Sequence, residues 1–590
     1  MRPEGRPRGR PAVTPSVDRA DLGWSVLLTL AITGPLLLGS GYWLVGDMVF
    51  VPHQPWKSAW LGLDGSLPRA VPMDAIVSVL TQVVPGSVVQ RVFLVGALVL
   101  GGVGIGRLVH ERAWYARAAA IGIFLWNPWV HDHLQIGQWA ILCGYLALPW
   151  VALAARRYRR DVRAGWAPVA VALTISGVCS PSSGVMAVVV VAVLGLRRSW
   201  PSWSVLAALS LVANLPWLLP SLLARSSTVT TAGVFELFAP RAESSLGVLP
   251  SLLTLGGTWK SSIVAGERTS AVVVGLALAL TLAALLGALR RARSGPAAAE
   301  VRRLAVLAAV SLAVASVPAL GGAGLLEALG ERAPALALLR DAHRFLAPAA
   351  LLLAVGLASA VAWARAQVAP GRESLWTVAG LLVVAPVLLL PGLAWGAGDL
   401  ERSSYPADWQ TVAERIGAEP EATTIVLPWA GSYRSFDWAD GRAVLDPAPR
   451  YLPGEVLIDD RTFVDGVEIA SEDPRVGAVT LALGASGPVD VARGLRRLGV
   501  TWVLVERGQV DQSVPAGHTV HDGEDLVLLD LRTTTDPGAD PDPLRSTARP
   551  SHGDYAPLVI TGHVGAFVLL IGAFGRILRP GSNRRHSSRR

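Results

Sequence analysis

Asp47 is the side chain whose position in this sequence most favours catalysis. It follows residues 22–45, which carry no charge and are long enough to cross a hydrocarbon layer of about 30 Å. A carboxylate at such a boundary can be half-buried under the next loop, where its orientation and ionisation are tunable, as a general base requires. The alternative is that Gly46 ends the helix and Asp47 is an ordinary solvated acid. Asp47 alone leaves both interpretations open.

Two further segments carry side chains suited to chemistry. His131, Asp132 and His133 could bind a divalent metal, since imidazole and carboxylate groups are metal ligands. Ligands two residues apart share a face only in an extended segment, so the alternative is a polar turn between two helices. Arg340 and Arg344, one helical turn apart, could form a fork for a phosphate or could anchor the chain at lipid headgroups.

The composition is that of a polytopic membrane protein. Of 590 residues, 52% are hydrophobic and only 16% are charged, against roughly 25% charged in soluble domains. The only lysines, Lys57 and Lys260, each follow Trp, so the Gly-Lys-Ser/Thr of a nucleotide-binding P-loop is excluded. Cys143 and Cys179 lie in apolar segments and offer neither a disulfide framework nor a cysteine metal site. Membrane topology accounts for the net charge of +8, and no nucleic-acid partner is expected.

Apolar runs predict a mainly α-helical transmembrane bundle of about 12 passes. The runs are 22–45, 88–109, 118–130, 136–154, 166–179, 183–196, 203–223, 270–289, 304–320, 345–364, 375–397 and 556–577. Several are too short to cross alone, which predicts short hairpins that turn below or at the outer surface. We therefore expect residues 131–138 to line a watered cavity within side-chain reach of the first loop.

Arginine placement orients the predicted bundle. The inner segments are rich in Arg and the outer loops are poor in it, as the positive-inside rule requires. Residues 1–21 and 579–590 are then basic tails, so both termini of this multi-pass plasma-membrane protein are predicted to be cytoplasmic.

The remaining chain divides into a transmembrane domain and an outer domain. Residues 22–397 form the predicted transmembrane domain. Helical and β-type runs alternate in residues 398–532, which predicts a small extracytoplasmic α/β domain. Within it we expect a helix at 406–418 with Trp409, Val412 and Ile416 on one face, and a hairpin from Asp522-Gly523 into residues 526–531. A linker at 533–554 and a final transmembrane helix at 555–578 complete the predicted organisation.

The order of these features resembles the GT-C class of glycosyltransferases. Asp47 follows the first helix, an Asn-Pro-Trp sequence at 127–129 runs through Gly-Gln-Trp at 137–139 to Leu-Pro-Trp at 148–150, and an Arg-bearing outer loop precedes a late helix. More closely, the pattern is similar to large actinobacterial membrane proteins related to cell-wall arabinofuranosyl- and mannosyltransferases. The class usually has a paired acidic motif in the first loop, whereas Asp47 stands alone.

The resemblance implies an integral membrane glycosyltransferase with a polyprenyl-phosphate sugar as donor. The acceptor would be a glycan or protein hydroxyl outside. Asp47 would take the proton of the acceptor, and Arg340 and Arg344 would stabilise the departing phosphate. The implied substrate-binding residues are completed by His53, Asn127, Gln135 and Gln138. The one cofactor that the resemblance suggests is a divalent cation. His53 or His131 would either assist the reaction or bind this cation.

Two functions of other classes stay open on the sequence alone. The first is a lipid or glycan transporter, although the predicted spans are almost free of charge away from their ends, unlike those of ion-coupled transporters. The second is a non-catalytic membrane scaffold of cell-envelope assembly. Sugar and acceptor are not specified by any residue pattern.

Overall fold

A computed structural model describes residues 18–65, 70–111, 113–223, 233–332, 334–368, 374–509, 512–532 and 555–579. The predicted linker at 533–554 and almost all of the two basic tails lie outside these residues.

The described chain is mainly helical. Its α-helices are α1 (Arg19–Leu37), α2 (Met73–Thr81), α3 (Gly86–Leu108), α4 (Trp114–Leu125), α5 (Pro128–Gln135), α6 (Trp139–Arg160), α7 (Val162–Cys179), α8 (Pro181–Gly195), α9 (Trp200–Leu223), α10 (Val234–Leu237), α11 (Val248–Leu253), α12 (Ala271–Arg293), α13 (Ala298–Ser316), α14 (Ala323–Arg332), α15 (Ala349–Ala366), α16 (Ser374–Leu389), α17 (Ala394–Ala397), α18 (Ala407–Gly417), α19 (Ala448–Tyr451), α20 (Pro474–Leu483), α21 (Pro488–Arg497) and α22 (Ala556–Leu578).

The described residues contain eight helices long and apolar enough to cross a membrane, or nine if α16 and the segment Pro391–Ala397, bent by 60° relative to it, form one span. A multi-pass bundle is therefore confirmed, but the predicted count of about 12 passes is not. The difference lies in runs that are helical without meeting the requirements of a span. Helix α4 has 12 residues and α8 has 15, and α13 carries three charged side chains in its first half.

The first predicted span is shorter than its apolar run. Helix α1 ends at Leu37, and the chain from Leu38 to Val45 is apolar but not helical. Its backbone is satisfied by other segments: Trp43 exchanges two hydrogen bonds with the side chain of Gln90, of 3.1 and 2.8 Å. The interpretation that Gly46 ends the first helix is thus wrong, because packing against α3 takes the chain out of the helix earlier.

Between α4 and α6 the chain forms a buried helix instead of the predicted simple turn. Asn127 caps this helix, since its Oδ1 accepts from the N–H of Val130 (3.1 Å), and Pro128 occupies the first turn, where no donor is needed. Helix α5 then runs for eight residues before Gly137 (φ +79°) turns the chain into α6.

The predicted α/β organisation of the region near the C-terminus is confirmed. Its strands are β1 (Thr423–Leu427), β2 (Tyr433–Ser435), β3 (Ala443–Leu445), β4 (Glu455–Leu457), β5 (Thr462–Val464), β6 (Val467–Ile469), β7 (Val500–Glu506), β8 (His518–Asp522) and β9 (Leu526–Asp530). The main sheet has the order β4-β1-β7-β9-β8. Strands β4, β1 and β7 are parallel to one another, whereas β9 pairs antiparallel with both β7 and β8. Strands β2 and β3 form a separate antiparallel pair, as do β5 and β6.

Both faces of this sheet are covered, as central parallel strands require. Ile425 and Val503 pack with α20 and α21 on one face, whereas Val426 and Leu504 belong to the core that contains α18 on the other. The prediction that α18 buries Trp409, Val412 and Ile416 is confirmed, since each is 0% exposed.

Candidate active site

Asp47 lies where the helical bundle and the α/β domain meet. Its backbone N–H donates to the carbonyl of Ile136, just after α5 (3.0 Å). The preceding residue, Gly46, donates to Ala443 O and accepts from the N–H of Leu445, both at 2.8 Å, alongside β3. The loop that carries Asp47 is therefore fixed on one side by the bundle and on the other by the α/β domain.

Two glycines make this close approach possible. Gly46 (φ +49°) and Gly137 (φ +79°) both have left-handed backbones. A Cβ at Gly46 would lie 1.8 Å from Ile136 O, and one at Gly137 would lie 2.0 Å from Val45 O. A side chain at either position would force the segments apart. The expected proximity of residues 131–138 to the first loop is confirmed by this contact, whereas the watered cavity that they were expected to line stays a prediction.

The carboxylate of Asp47 is half-buried and held at one oxygen. The hydroxyl of Tyr433, on β2, donates to Asp47 Oδ1 (2.6 Å). Within the described residues, Asp47 Oδ2 has no hydrogen-bond partner. An ionised carboxylate is an acceptor only, so this second oxygen can receive a proton.

Lys260 adds a cation to the surroundings of Asp47. Burial lowers the pKa of Lys260, and the negative charge of Asp47 opposes that shift. Among the described residues Lys260 makes no ion pair, so its ammonium is available to an anionic ligand. Sequence reasoning missed both Tyr433 and Lys260. The only signal was that Lys260 is one of two lysines in the chain.

Three of the predicted substrate-binding residues make no hydrogen bond to Asp47 within the described residues. His53 is exposed, with Nδ1 2.7 Å from the carbonyl of Thr81 on α2. Gln135, at the end of α5, donates to Ala397 O (2.7 Å). Gln138 is buried, and its Oε1 has no hydrogen-bond partner in the described part of the chain.

Asn127 has a structural role at the N-terminal end of α5, where it connects this helix to α4. Besides capping that helix, its Nδ2 donates to the carbonyls of Ile123 (3.0 Å) and Phe124 (2.9 Å) at the end of α4. It also lies 3.1 Å from the hydroxyl of Tyr145. These bonds satisfy backbone groups at the break between α4 and α5, where a helix end leaves them unpaired.

The structure gives no support to a metal site at residues 131–133. On a helix, residues two apart point in nearly opposite directions, because each residue turns the axis by about 100°. His131 Nδ1 lies 3.1 Å from Asp132 Oδ1, whereas His133 Nδ1 contacts Trp129 O (2.8 Å). Nowhere in the described ranges do three or more His, Cys, Asp or Glu side chains form a group that could hold a metal ion.

The two predicted phosphate-binding arginines have different partners. Arg344 Nε lies 2.8 Å from Asp341 Oδ2, so its charge is already opposed by a carboxylate. The guanidinium of Arg340 lies 4.9 Å from the ring centre of Phe238, and its Nη1 is 3.9 Å from Glu472 Oε1. A shared phosphate fork therefore stays a prediction.

A small cavity, partly open to the surroundings, lies between α4, α12, α15 and α16. It is lined by Ile123, Trp126, Asn127, Pro128, Thr254, Leu255, Arg268, Ala277, Leu280, Thr281, Leu353, Pro386, Leu389 and Leu390. Its walls are mostly apolar, and the charge of Arg268 is paired with Glu243, with Nε 3.0 Å from Oε2. Asn127 is the only predicted site residue in this lining.

The described architecture, a polytopic helical bundle with an acid after the first helix and an α/β domain near the C-terminus, fits the GT-C fold that the sequence resembles. Solved structures similar to the chain include the arabinofuranosyltransferase AftD from Mycobacteria, with a TM-score of 0.53 and 16% identity over 83% of this chain and 35% of that one.

Two structures of a mutant of the same mycobacterial enzyme are also similar, with TM-scores of 0.52 and 0.51 at 17% and 15% identity. They match 87% and 88% of this chain but 41% and 42% of their own. The chain thus spans less than half the length of these neighbours, and at such identity the likeness establishes the fold. No protein-family profile matches the sequence, and no curated protein matches it.

Proposed function

We propose that this protein is a membrane glycosyltransferase of cell-wall synthesis. In this proposal it moves a sugar from a polyprenyl-phosphate donor to a hydroxyl of an envelope glycan or protein outside the membrane. The fold shared with AftD supports the class. The observation that carries the proposal is the position of Asp47, half-buried at the junction of the two units with one carboxylate oxygen held and the other open within the described residues.

The reaction would be a displacement at the anomeric carbon of the donor. The acceptor oxygen forms a bond to that carbon, and Asp47 Oδ2 takes the proton of the acceptor hydroxyl. The bond between the anomeric carbon and the phosphate oxygen breaks, and its electron pair leaves with the lipid phosphate. General-base assistance of this kind typically contributes about 10²–10⁴-fold in rate.

A cation is needed where the phosphate acquires charge. Arg340 and Arg344 retain this role in the proposal, and Lys260 joins them because it makes no ion pair among the described residues and interacts electrostatically with Asp47. An ammonium that is half-buried is less screened by water than one on an open surface, so its attraction to a phosphate is stronger.

The test is the change Asp47→Asn, which keeps the size of the side chain and removes the basic oxygen. We expect sugar transfer to fall about 10²–10⁴-fold, with normal expression and membrane insertion. Transfer would be measured with the purified full chain in lipid vesicles, using a radiolabelled extract of lipid-linked sugars from cell-envelope membranes.

Asp490→Asn is the matched control. It makes the same chemical change on α21 at an exposed acid whose carboxylate pairs with Arg493, and it should leave transfer unchanged. Full activity in Asp47→Asn would remove the proposed mechanism and favour the scaffold or transporter. Transfer lost in both variants would indicate damage to the fold instead of loss of a base.

A further inference from the structure

The hairpin of β2 and β3 connects the α/β domain to the loop that carries Asp47. In this hairpin Tyr433 pairs with Leu445 across the strands. The N–H of Leu445 donates to the carbonyl of Gly46 (2.8 Å), the residue immediately before Asp47. A continuous hydrogen-bonded path across two strands therefore determines where Tyr433 stands relative to Asp47.

Arg434 fixes this hairpin to the core of the α/β domain. Its side chain is buried, with Nη2 3.2 Å from Asp446 Oδ2 and Nε 2.7 Å from Glu506 Oε2 at the end of β7. Nη2 also donates to the carbonyl of Pro428 (2.9 Å). A buried charge is tolerated only when it is paired and hydrogen-bonded in this way, and those bonds restrict β2 to one position. Tyr433, the preceding residue, is thus carried on a rigid support.

The contact between Tyr433 and Asp47 has the geometry of a strong hydrogen bond. The distance from the hydroxyl to Asp47 Oδ1 is 2.6 Å, within the range of about 2.5–2.7 Å for an O–H group donating to an ionised oxygen. One held oxygen limits rotation of the carboxylate. The other oxygen is then kept in a defined direction, which a general base requires.

We propose that Tyr433 is a positioning residue for Asp47, so that the α/β domain completes the active site. This inference rests on the proposed function of Asp47. Tyr433 keeps its own proton throughout and acts by orienting Oδ2 toward the acceptor hydroxyl. The catalytic base belongs to the membrane bundle, and the group that orients it belongs to the outer domain.

The test is Tyr433→Phe, which removes the hydroxyl and keeps the ring. Misplacing a catalytic group by about 1 Å can cost about 10²-fold in rate, so kcat should fall to that extent. The apparent KM from a dilution series of the lipid-linked sugar extract should not change, because ground-state donor binding is not altered. Tyr451→Phe is the matched control in the same domain: Tyr451 packs against Tyr405 and Trp409, and this change should leave kcat as it is.

A double variant tests whether Tyr433 acts by orienting Asp47 or by a route independent of Asp47. If Tyr433 acts through Asp47, then adding Tyr433→Phe to Asp47→Asn should lower the remaining rate no further. An additional 10²-fold loss in that background would overturn the inference, and so would an unchanged kcat in Tyr433→Phe alone.

The unfolding temperature of each purified variant is the second measurement. We expect that of Tyr433→Phe to match that of Tyr451→Phe, and a much lower value with a raised KM would assign Tyr433 a merely structural role. If Asp47→Asn abolishes transfer while Tyr433→Phe does not affect it, only the inference about Tyr433 fails. If Asp47→Asn is fully active, the proposed function itself fails.

Discussion

Replacing Gly137 by Ala tests whether the contact between the first loop and the segment after α5 is essential. Two costs are expected. A left-handed backbone costs an L-residue about 1–2 kcal/mol. In addition, the new Cβ would lie 2.0 Å from Val45 O, 2.5 Å from Met48 N and 2.8 Å from Asp47 N. These are backbone atoms, which cannot turn away as a flexible side chain can, so overpacking adds roughly 1–3 kcal/mol.

Gly233 provides a control that isolates the second cost. Its φ is +78°, against +79° at Gly137, but within the described structure a Cβ there would meet nothing within 4 Å. Gly233→Ala should therefore show the backbone cost alone. The difference in unfolding free energy between the two variants, roughly 1–3 kcal/mol, measures the cost of the steric overlap between the new Cβ and the first loop.

The assay compares unfolding temperatures of the two purified variants in the same detergent, together with sugar transfer. We expect Gly137→Ala to unfold at a lower temperature than Gly233→Ala and to lose transfer, because the loop carrying Asp47 must move. Equal unfolding temperatures with full transfer in both variants would refute the reasoning, since the two segments would then separate at no cost.

Two other predictions concern the charge of Lys260 and the orientation of the chain in the membrane. Because burial lowers the pKa of Lys260, its charge should be lost at a lower pH than that of an exposed lysine, so the KM for a lipid-phosphate donor should rise as the pH increases toward that value. Lys260→Arg, which stays charged, should abolish this rise, and an identical pH dependence in the variant would remove Lys260 from donor binding. Both native cysteines are buried and should not react with an impermeant reagent. In the predicted orientation, a Cys introduced at exposed Thr411 on α18 should react with such a reagent added outside, whereas one at exposed Ser199 between α8 and α9 should not. The opposite pattern would reverse the predicted orientation.

Sequence patterns predicted those features that depend on near neighbours. The burial of Trp409, Val412 and Ile416 follows from helical periodicity, and the β8–β9 hairpin follows from Asp522-Gly523. The proximity of Asp47 to residues 131–138 was also predictable, because a run too short to span must turn near the surface where the first loop begins.

The rest depends on contacts between distant parts of the chain. Tyr433 carries no local signal that links it to Asp47, from which it is 386 residues away. Helix α5 is short and polar, so its pattern resembles that of a turn, and burial against neighbouring helices makes it helical. Pairing of Arg344 with Asp341 likewise depends on side-chain direction, which residue spacing does not specify.

The pairing of Gly46 with β3 and of Asp47 with Tyr433 also determines when the site can exist during biosynthesis. Ribosomes add roughly 5–20 residues per second, so the 386 residues between Asp47 and Tyr433 take roughly 20–80 s to make. Throughout that interval the first loop lacks its partner strand. If Asp47 is the proposed base, it acquires a fixed orientation only after the α/β domain, which supplies Tyr433 and β3, has been translated and has folded onto the first loop.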